Sequence, residues 1–338
     1  MKHLIATIVL TTFALICCGQ NENLKLYYNC TTFHPNFTKV NVIDKRVSNQ
    51  TLGFVQVGAF NRIAPVVFQG SLTDSLAIYF LDKDTIGKTP KELTILLYEL
   101  YMSEKSDYTS ETGRLKLSIR LFAKEDQEKY FEILSIDSVY YASALDVTNK
   151  LLNSVSKHMC EISTKANLMN LSAPQSNPRY TYSELQSIDS LEKLRIPIYN
   201  TEKFNSGLFT TYERFKANSP DSSVITIDLS DPKNIKVFKW DGKKKKRVDC
   251  NSVYAVSDGN TLLKATSIGF YKLQKINGDF YYVGQTSFSN SNNVAMWGYA
   301  FGLVGAAIAS EAERNNGLFQ FRINYIKGNS IPISKAAE

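Results

Sequence analysis

Apolar and polar positions in the first half of the chain alternate between strand-like and helix-like spacing. The alternation over Val40–Asp44 predicts a strand that leaves the core at Lys45. From residue 72 to residue 83 the apolar residues fall on one helical face, and Ser71 and Asp74 are placed to satisfy the free amides of the first turn. This second pattern predicts a capped helix.

Strand-like patterns follow in three consecutive segments, Leu93–Tyr101, Arg114–Ala123 and Lys129–Tyr141. The polar connectors between them fit antiparallel turns. A helix starting at Thr89-Pro90 and running through Leu100 is the alternative for the first segment, because proline suits a first helical position. We favour the strand, because a three-stranded meander completes the sheet.

The spacing becomes helical again from Asp146, which is available as a cap. One face of this predicted helix carries Val147, Leu151, Leu152, Val155, Met159 and Ile162. Residues 167–182 then hold two prolines, three asparagines and few apolar residues, which is the composition of a domain linker. We therefore predict one domain over residues 24–166 and a second over residues 183–334.

Hairpin signals dominate this second domain. Asp258-Gly259 and Asn277-Gly278 each separate two strand-like segments, and both pairs suit the positive backbone angles of a tight turn. A third hairpin is predicted where Asp241-Gly242 follows Ile235–Trp240 and precedes a run of lysines. Leu318–Ile326 is predicted to be the closing strand.

Two helices are predicted beside these hairpins. In Gly207–Pro220, Thr210 and Glu213 match a capping box, which indicates a short helix. Residues 294–310 carry no charge and repeat small residues every fourth position, at Gly298, Gly302, Ala306 and Ser310. We favour a helix buried against the second sheet, while membrane association and an oligomer contact stay open. The predicted fold class is α+β, with a sheet and two helices followed by this antiparallel hairpin domain.

The N-terminus has the layout of a secretory signal. Lys2 and His3 precede the apolar stretch Leu4–Ile16, which is too short to span a bilayer comfortably. Residues 15–19 resemble a bacterial lipobox, in which Cys18 is the acylated residue, although Cys17 stands where Ala or Gly is usual. We predict removal of residues 1–19 or acylation at Cys18, and hence an exported protein of the periplasm or outer membrane, held to the membrane by a lipid anchor.

Two resemblances agree with this location. The order of elements in the first half resembles the small α/β domain of bacterial envelope lipoproteins, including transport-auxiliary lipoproteins. The segments that carry this resemblance are Val42-Ile43-Asp44-Lys45-Arg46, Gly53-Phe54-Val55, the capped helix, the meander, and Asp146-Val147-Thr148 with its helix. That resemblance covers about residues 38–165 and implies an envelope location and a sheet-plus-helices fold. About residues 195–334 resemble exported proteins of unknown function from Bacteroidota. Neither resemblance implies a catalytic residue.

Composition excludes some functions. The 338 residues are 43% apolar and 12% aromatic, enough for packed cores, and the net charge of +7 is far below that of a nucleic-acid binder. This mild basic balance favours an anionic surface nearby. Beyond the leader remain Cys30, Cys160 and Cys250, which permit one disulfide of undetermined pairing and lack zinc-site spacing. We predict no metal and no cofactor.

Catalytic motifs are absent from the sequence: it contains no Gly-x-Ser-x-Gly, no His-Glu-x-x-His and no phosphate-cradling glycine loop. His158 and Cys160 are two residues apart on a predicted helix, so they point to different faces and do not form a dyad. Asp228 and Asp231 are interpreted as turn residues, and Asp44 with Arg46 as a surface ion pair.

The candidate interaction residues are therefore aromatic and basic: Phe209, Tyr212, Phe215, Trp240 and Lys244, together with Gly298 and Gly302. Lysines 243–246 and Arg247 beside Trp240 suit phosphate-rich headgroups, but solvated hairpin lysines that discourage edge pairing are the simpler interpretation. We predict a non-catalytic binding or assembly role in the cell envelope. An envelope hydrolase with a dispersed active site and a membrane-inserted subunit using residues 294–310 are the alternatives.

Overall fold

The computed structural model describes residues 21–28, 30, 37–46, 51–58, 62–82, 91–106, 110–125, 128–169, 177–285 and 318–336. These residues form two compact units, one ending at Thr181 and the other beginning at Tyr182. Both units contain helices and sheets, so the α+β prediction is confirmed. The predictions for Cys18, Gly298 and Gly302, and for residues 294–310 as a helix, lie outside the described residues.

The described residues of the first unit form a mixed sheet with two helices. Its strands are β1 (Glu22–Asn23), β2 (Lys39–Asp44), β3 (Gly53–Val57), β4 (Arg62–Val67), β5 (Glu92–Ser106), β6 (Glu111–Lys124), β7 (Tyr130–Ala144) and β8 (Arg179–Tyr180). Their order is β1-β4-β3-β5-β6-β7-β8, and β2 also pairs with β5. The helices are α1 (Leu72–Ala77) and α2 (Thr148–Leu168).

The predicted meander is confirmed, since β5, β6 and β7 pair in antiparallel order. The strand interpretation of residues 93–101 was therefore the right one. Helix α1 begins as predicted, with the Ser71 side chain accepting from the Asp74 N–H, but its regular part ends at Ala77 instead of near residue 83. Helix α2 begins at Thr148, whose N–H donates to Asp146 Oδ1 at 3.2 Å.

The core of the first unit lies between one sheet face and α2. The predicted apolar stripe of α2 is buried, and it packs against alternate residues of β6, namely Leu115, Leu117, Ile119 and Leu121. A disulfide between Cys30 and Cys160 ties the N-terminal segment to this helix across a sequence separation of 130 residues. Closing so long a loop restricts the unfolded chain, which stabilises the fold by about 4–5 kcal/mol in the chain-entropy treatment.

The described residues of the second unit form three short helices and three antiparallel sheets. The helices are α3 (Tyr182–Gln186), α4 (Ile188–Lys193) and α5 (Tyr212–Lys216), with 3-10 turns at Pro197–Asn200 and Cys250–Ser252. The strands are β9 (Gly207–Phe209), β10 (Ile225–Asp228), β11 (Lys236–Asp241), β12 (Lys244–Arg247), β13 (Ala255–Ser257), β14 (Leu262–Ala265), β15 (Phe270–Lys272), β16 (Gln274–Ile276), β17 (Asp279–Gly284), β18 (Phe319–Ile323) and β19 (Ser330–Lys335). The sheets run β10-β11-β12, β15-β14-β13-β9 and β16-β17-β18-β19.

All three predicted hairpins are present in this unit. Asn277 and Gly278 adopt φ values of 50° and 79°, the positive angles that the tight turn requires. Two boundaries differ from prediction. The cap of α5 is Thr211 instead of Thr210, and residues 318–326 do not close the fold, because the strand ends at Ile323 and β19 pairs beside it.

Candidate functional site

Three of the predicted interaction residues belong to the core of the second unit. Phe209 and Phe215 are fully buried and Tyr212 is 7% exposed. The Phe215 ring meets the rings of Phe209 and Phe280 at centroid distances of 5.6 and 5.4 Å, and the Tyr212 hydroxyl donates to the Tyr325 carbonyl at 2.6 Å. This corrects the prediction: the apolar face of the short helix α5 fills the core and presents no aromatic surface to a partner.

Trp240 is exposed, and the predicted interaction residue Lys244 lies on the other side of the sheet from it. In the β11–β12 hairpin Trp240 lies opposite Lys245, whereas Lys244 lies opposite Asp241. Residues directly opposite each other share a sheet face, and neighbours along a strand alternate faces. Lys245 therefore stands on the Trp240 side, while Lys244 stands on the other side.

Burial explains which side of the three-stranded sheet faces outward. Ile225, Val237 and Val248 are buried in the core of this unit, and Ile227 packs against them. The opposite side presents Val224, Thr226, Asp228, Lys236, Phe238, Trp240, Lys245 and Arg247, which we call the basic-aromatic face. The alternation of buried and exposed residues along β11 and β12 could have shown this in the sequence, since it places Lys245 and Arg247, but not Lys244, on the same side as Trp240.

Side chains on the basic-aromatic face are close enough to interact. Lys245 Nζ lies 4.4 Å from the centroid of the Phe238 ring, a cation–π contact. Trp240 is 46% exposed and Val224 is 66% exposed. The backbone N–H of Trp240 donates to the Val224 carbonyl at 3.1 Å. Hydrogen bonds from Ser230, followed by the charges of Lys236 and Lys245, lower the pKa of Asp228. The face thus combines an exposed apolar pair with a cationic border.

A cavity of about 390 Å³ opens beside this face. It is bounded by the turn before β11, by the residues that follow β12 and by the connection between β14 and β15. We call it the junction cavity; among its lining residues are Lys233, Ile235, Arg247, Asp249, Cys250 and Tyr271. Arg247 belongs to both the junction cavity and the basic-aromatic face. No local sequence pattern indicates this cavity, because its walls come from distant segments.

Glu104 and Lys264, which lie elsewhere, are buried ionisable groups with strongly shifted pKa values. Glu104, 1% exposed, accepts from the Gln56 N–H at 2.8 Å and from the Thr148 hydroxyl at 3.1 Å. Burial, with smaller contributions from the charges of Glu111 and Asp146, raises the pKa of Glu104 to about 7. This group is a raised-pKa acid of the kind that catalysis uses, but it is closed off from solvent.

Lys264 is the second of these groups. It donates to the carbonyls of Tyr254 and Ala265 at 3.1 and 2.7 Å, and its Nζ lies 3.9 Å from the Tyr254 ring centroid. Burial lowers its pKa to about 8. Since its three contacts are all with neighbouring backbone or ring, its role is in packing.

The remaining candidates have structural partners. His158 stacks on Tyr140 at 3.6 Å and contacts Glu161, and Cys160 is in the disulfide. Asp228 and Asp231 each accept from a backbone N–H two residues on, as turn residues do. Arg46 and Asp44 form the expected ion pair at 2.7 Å, although the arginine side chain is only 6% exposed.

Comparisons with known proteins add no relative: no family model, curated protein or solved structure matches this chain. Within the described ranges no helix is long and apolar enough to cross a bilayer. The same ranges contain no group of three His, Cys, Asp or Glu side chains arranged to hold a metal ion.

Proposed function

We propose that this chain is an exported, non-catalytic protein of the bacterial cell envelope, and that its second unit binds an anionic membrane surface through the basic-aromatic face. Export is supported by the secretory leader and by the Cys30–Cys160 disulfide, because structural disulfides persist mainly in oxidising compartments. The resemblance of the first domain to envelope lipoproteins points the same way.

The exposed pair Trp240 and Val224 inside a cationic border is the observation that carries the binding role. Tryptophan is favoured at membrane interfaces because its ring is apolar and its N–H is polar. Lysine and arginine are drawn to the negative potential of anionic lipids. Residues 231–250 contain eight lysines or arginines against three aspartates, so the whole hairpin region is complementary to such a surface.

A matched pair of variants tests the proposal. Lys245→Gln removes a charge from the basic-aromatic face, and Lys244→Gln removes the same charge from the other side of the same strand. Each cation near an anionic membrane is worth about 1 kcal/mol, so Lys245→Gln is expected to weaken binding about fivefold. Lys244→Gln is expected to weaken binding less, since it reduces only the long-range attraction between the protein and the anionic membrane.

The measurement is co-sedimentation of a chain that begins at Gln20 with phosphatidylcholine vesicles, with and without phosphatidylglycerol. We expect salt-sensitive binding to the anionic vesicles alone, and loss of most of it in Trp240→Ala. Equal effects of the two lysine variants would show that the face has no special role. Turnover of an envelope glycan or peptide by the purified protein would instead support the hydrolase alternative.

A further inference from the structure

We propose that the junction cavity binds the phosphate-bearing headgroup of an anionic glycerophospholipid, so that the second unit recognises one headgroup besides a charged surface. This inference rests on the proposed function and deepens it. A cavity of about 390 Å³ is small for a ligand site and is matched to a compact group such as glycerol phosphate. Because Arg247 belongs to the cavity and to the basic-aromatic face, a bound headgroup would remain next to the membrane surface.

The cations of the cavity are available for a phosphate. Neither Lys233 nor Arg247 forms an ion pair within the part of the chain that the structure describes, and both residues are exposed. Arginine presents a planar fork of donors that matches two phosphate oxygens, and lysine adds a point charge. Two unpaired cations at the rim of one cavity thus favour a phosphate over a neutral ligand.

The carboxylate of the cavity is already engaged. Asp249 Oδ1 accepts from the backbone N–H of Asn251 at 3.0 Å and from its side-chain amide at 3.2 Å. These bonds cap the 3-10 turn at Cys250–Ser252 and hold the Asp249 side chain against the backbone. Asp249 therefore offsets part of the positive charge of the cavity, and its Oδ1 is held by these bonds.

Apolar groups complete the cavity. Ile235, Val248 and Phe270 are 9%, 6% and 7% exposed and form buried apolar walls, while Ile268 is 44% exposed. Such walls suit the carbon skeleton of glycerol, which inorganic phosphate lacks. The combination predicts that glycerol 3-phosphate binds more tightly than inorganic phosphate does.

Cys250 provides a direct readout. It is a free, half-buried cysteine that lines the cavity, and in a chain beginning at Gln20 the other two cysteines form the disulfide. The alkylation rate of Cys250 by a maleimide is measured with increasing glycerol 3-phosphate, inorganic phosphate or sulfate. We expect saturable protection by glycerol 3-phosphate, with at least about threefold weaker protection by the two inorganic anions because they bury no carbon.

Two variants with one matched control assign the site. Ile268→Trp fills the mouth of the cavity, and Ile276→Trp makes the same change at a residue that is 43% exposed outside the cavity. Lys233→Gln removes a cation without adding bulk. We expect Ile268→Trp and Lys233→Gln to weaken glycerol 3-phosphate protection about tenfold and to lower binding to phosphatidylglycerol vesicles, with Ile276→Trp unchanged.

The outcomes separate the two proposals. Anionic vesicle binding that survives intact in Ile268→Trp and Lys233→Gln overturns the cavity inference and leaves the proposed function standing. Failure of the wild-type chain to bind anionic vesicles overturns the proposed function, and the headgroup inference falls with it. Equal protection by inorganic phosphate and glycerol 3-phosphate would assign the cavity to free phosphate and contradict a headgroup site.

Discussion

Glu104→Gln removes the buried carboxyl that links three elements of the first unit. Its Oε2 accepts from the Gln56 N–H of β3 and from the Thr148 hydroxyl at the start of α2, and Glu104 itself lies on β5. Glutamine keeps the shape and an acceptor oxygen but does not ionise. The variant therefore isolates the effect of the charge on stability.

The sign of the pH dependence follows from the raised pKa. The pKa of Glu104 in the folded protein is about 7, against an ordinary value of 4.5, so between these values the folded chain retains a proton that the unfolded chain has lost. The free energy of unfolding then falls as the pH rises from about 4.5 to about 7. One pKa unit corresponds to about 1.4 kcal/mol, which sets an upper limit of about 3 kcal/mol for this loss.

Hydrogen exchange of the α2 amides, followed by mass spectrometry of peptides from Thr148–Leu168, measures the stability of this unit separately. We expect wild type and Glu104→Gln to match near pH 4, and the variant to be more stable by about 1.5–3 kcal/mol at pH 8. Asp74→Asn, which removes an exposed carboxyl from α1 of the same unit, is the control and should follow wild type. Parallel profiles for wild type and Glu104→Gln at every pH would refute the assignment.

Two further predictions concern stability. The pKa of Lys264 is lowered to about 8, so between about pH 8 and pH 10.5 the unfolded chain holds a proton that the folded chain has lost. The free energy of unfolding of the second unit should therefore rise over this range. Denaturant titration measures this rise, which should vanish in Lys264→Met. Reduction of the Cys30–Cys160 disulfide should destabilise the first unit by about 2–5 kcal/mol and leave the hydrogen exchange of the β10–β12 amides unchanged. Equal destabilisation of both units would contradict this prediction.

Local patterns predicted the meander β5–β7, the helices α1, α2 and α5 and the three hairpins, but they did not predict β4, β19, α3 or α4. Asn277-Gly278 determines its hairpin by itself, because the required positive φ values belong to those two residues. The burial of Phe215 depends on Phe280, which is far away in sequence, so no local pattern distinguishes it from an exposed aromatic such as Trp240. The Cys30–Cys160 pairing and the parallel pairing of β2 with β5 are also non-local.

The binding free energy that the basic-aromatic face can supply determines whether it holds the protein on a membrane by itself or only together with a lipid anchor. Its three cations less the charge of Asp228 leave two net positive charges, which are worth about 2 kcal/mol near an anionic surface, and burial of Trp240 adds about 1–2 kcal/mol. A total of about 3–4 kcal/mol corresponds to a dissociation constant in the mM range, too weak to hold a free protein on a membrane. A tether changes this, because it raises the effective concentration of the face at the surface to the mM range. If Cys18 is acylated as we expect, the lipid supplies residence while the face and the junction cavity orient the second unit; the chain without a lipid should then show only weak, salt-sensitive binding.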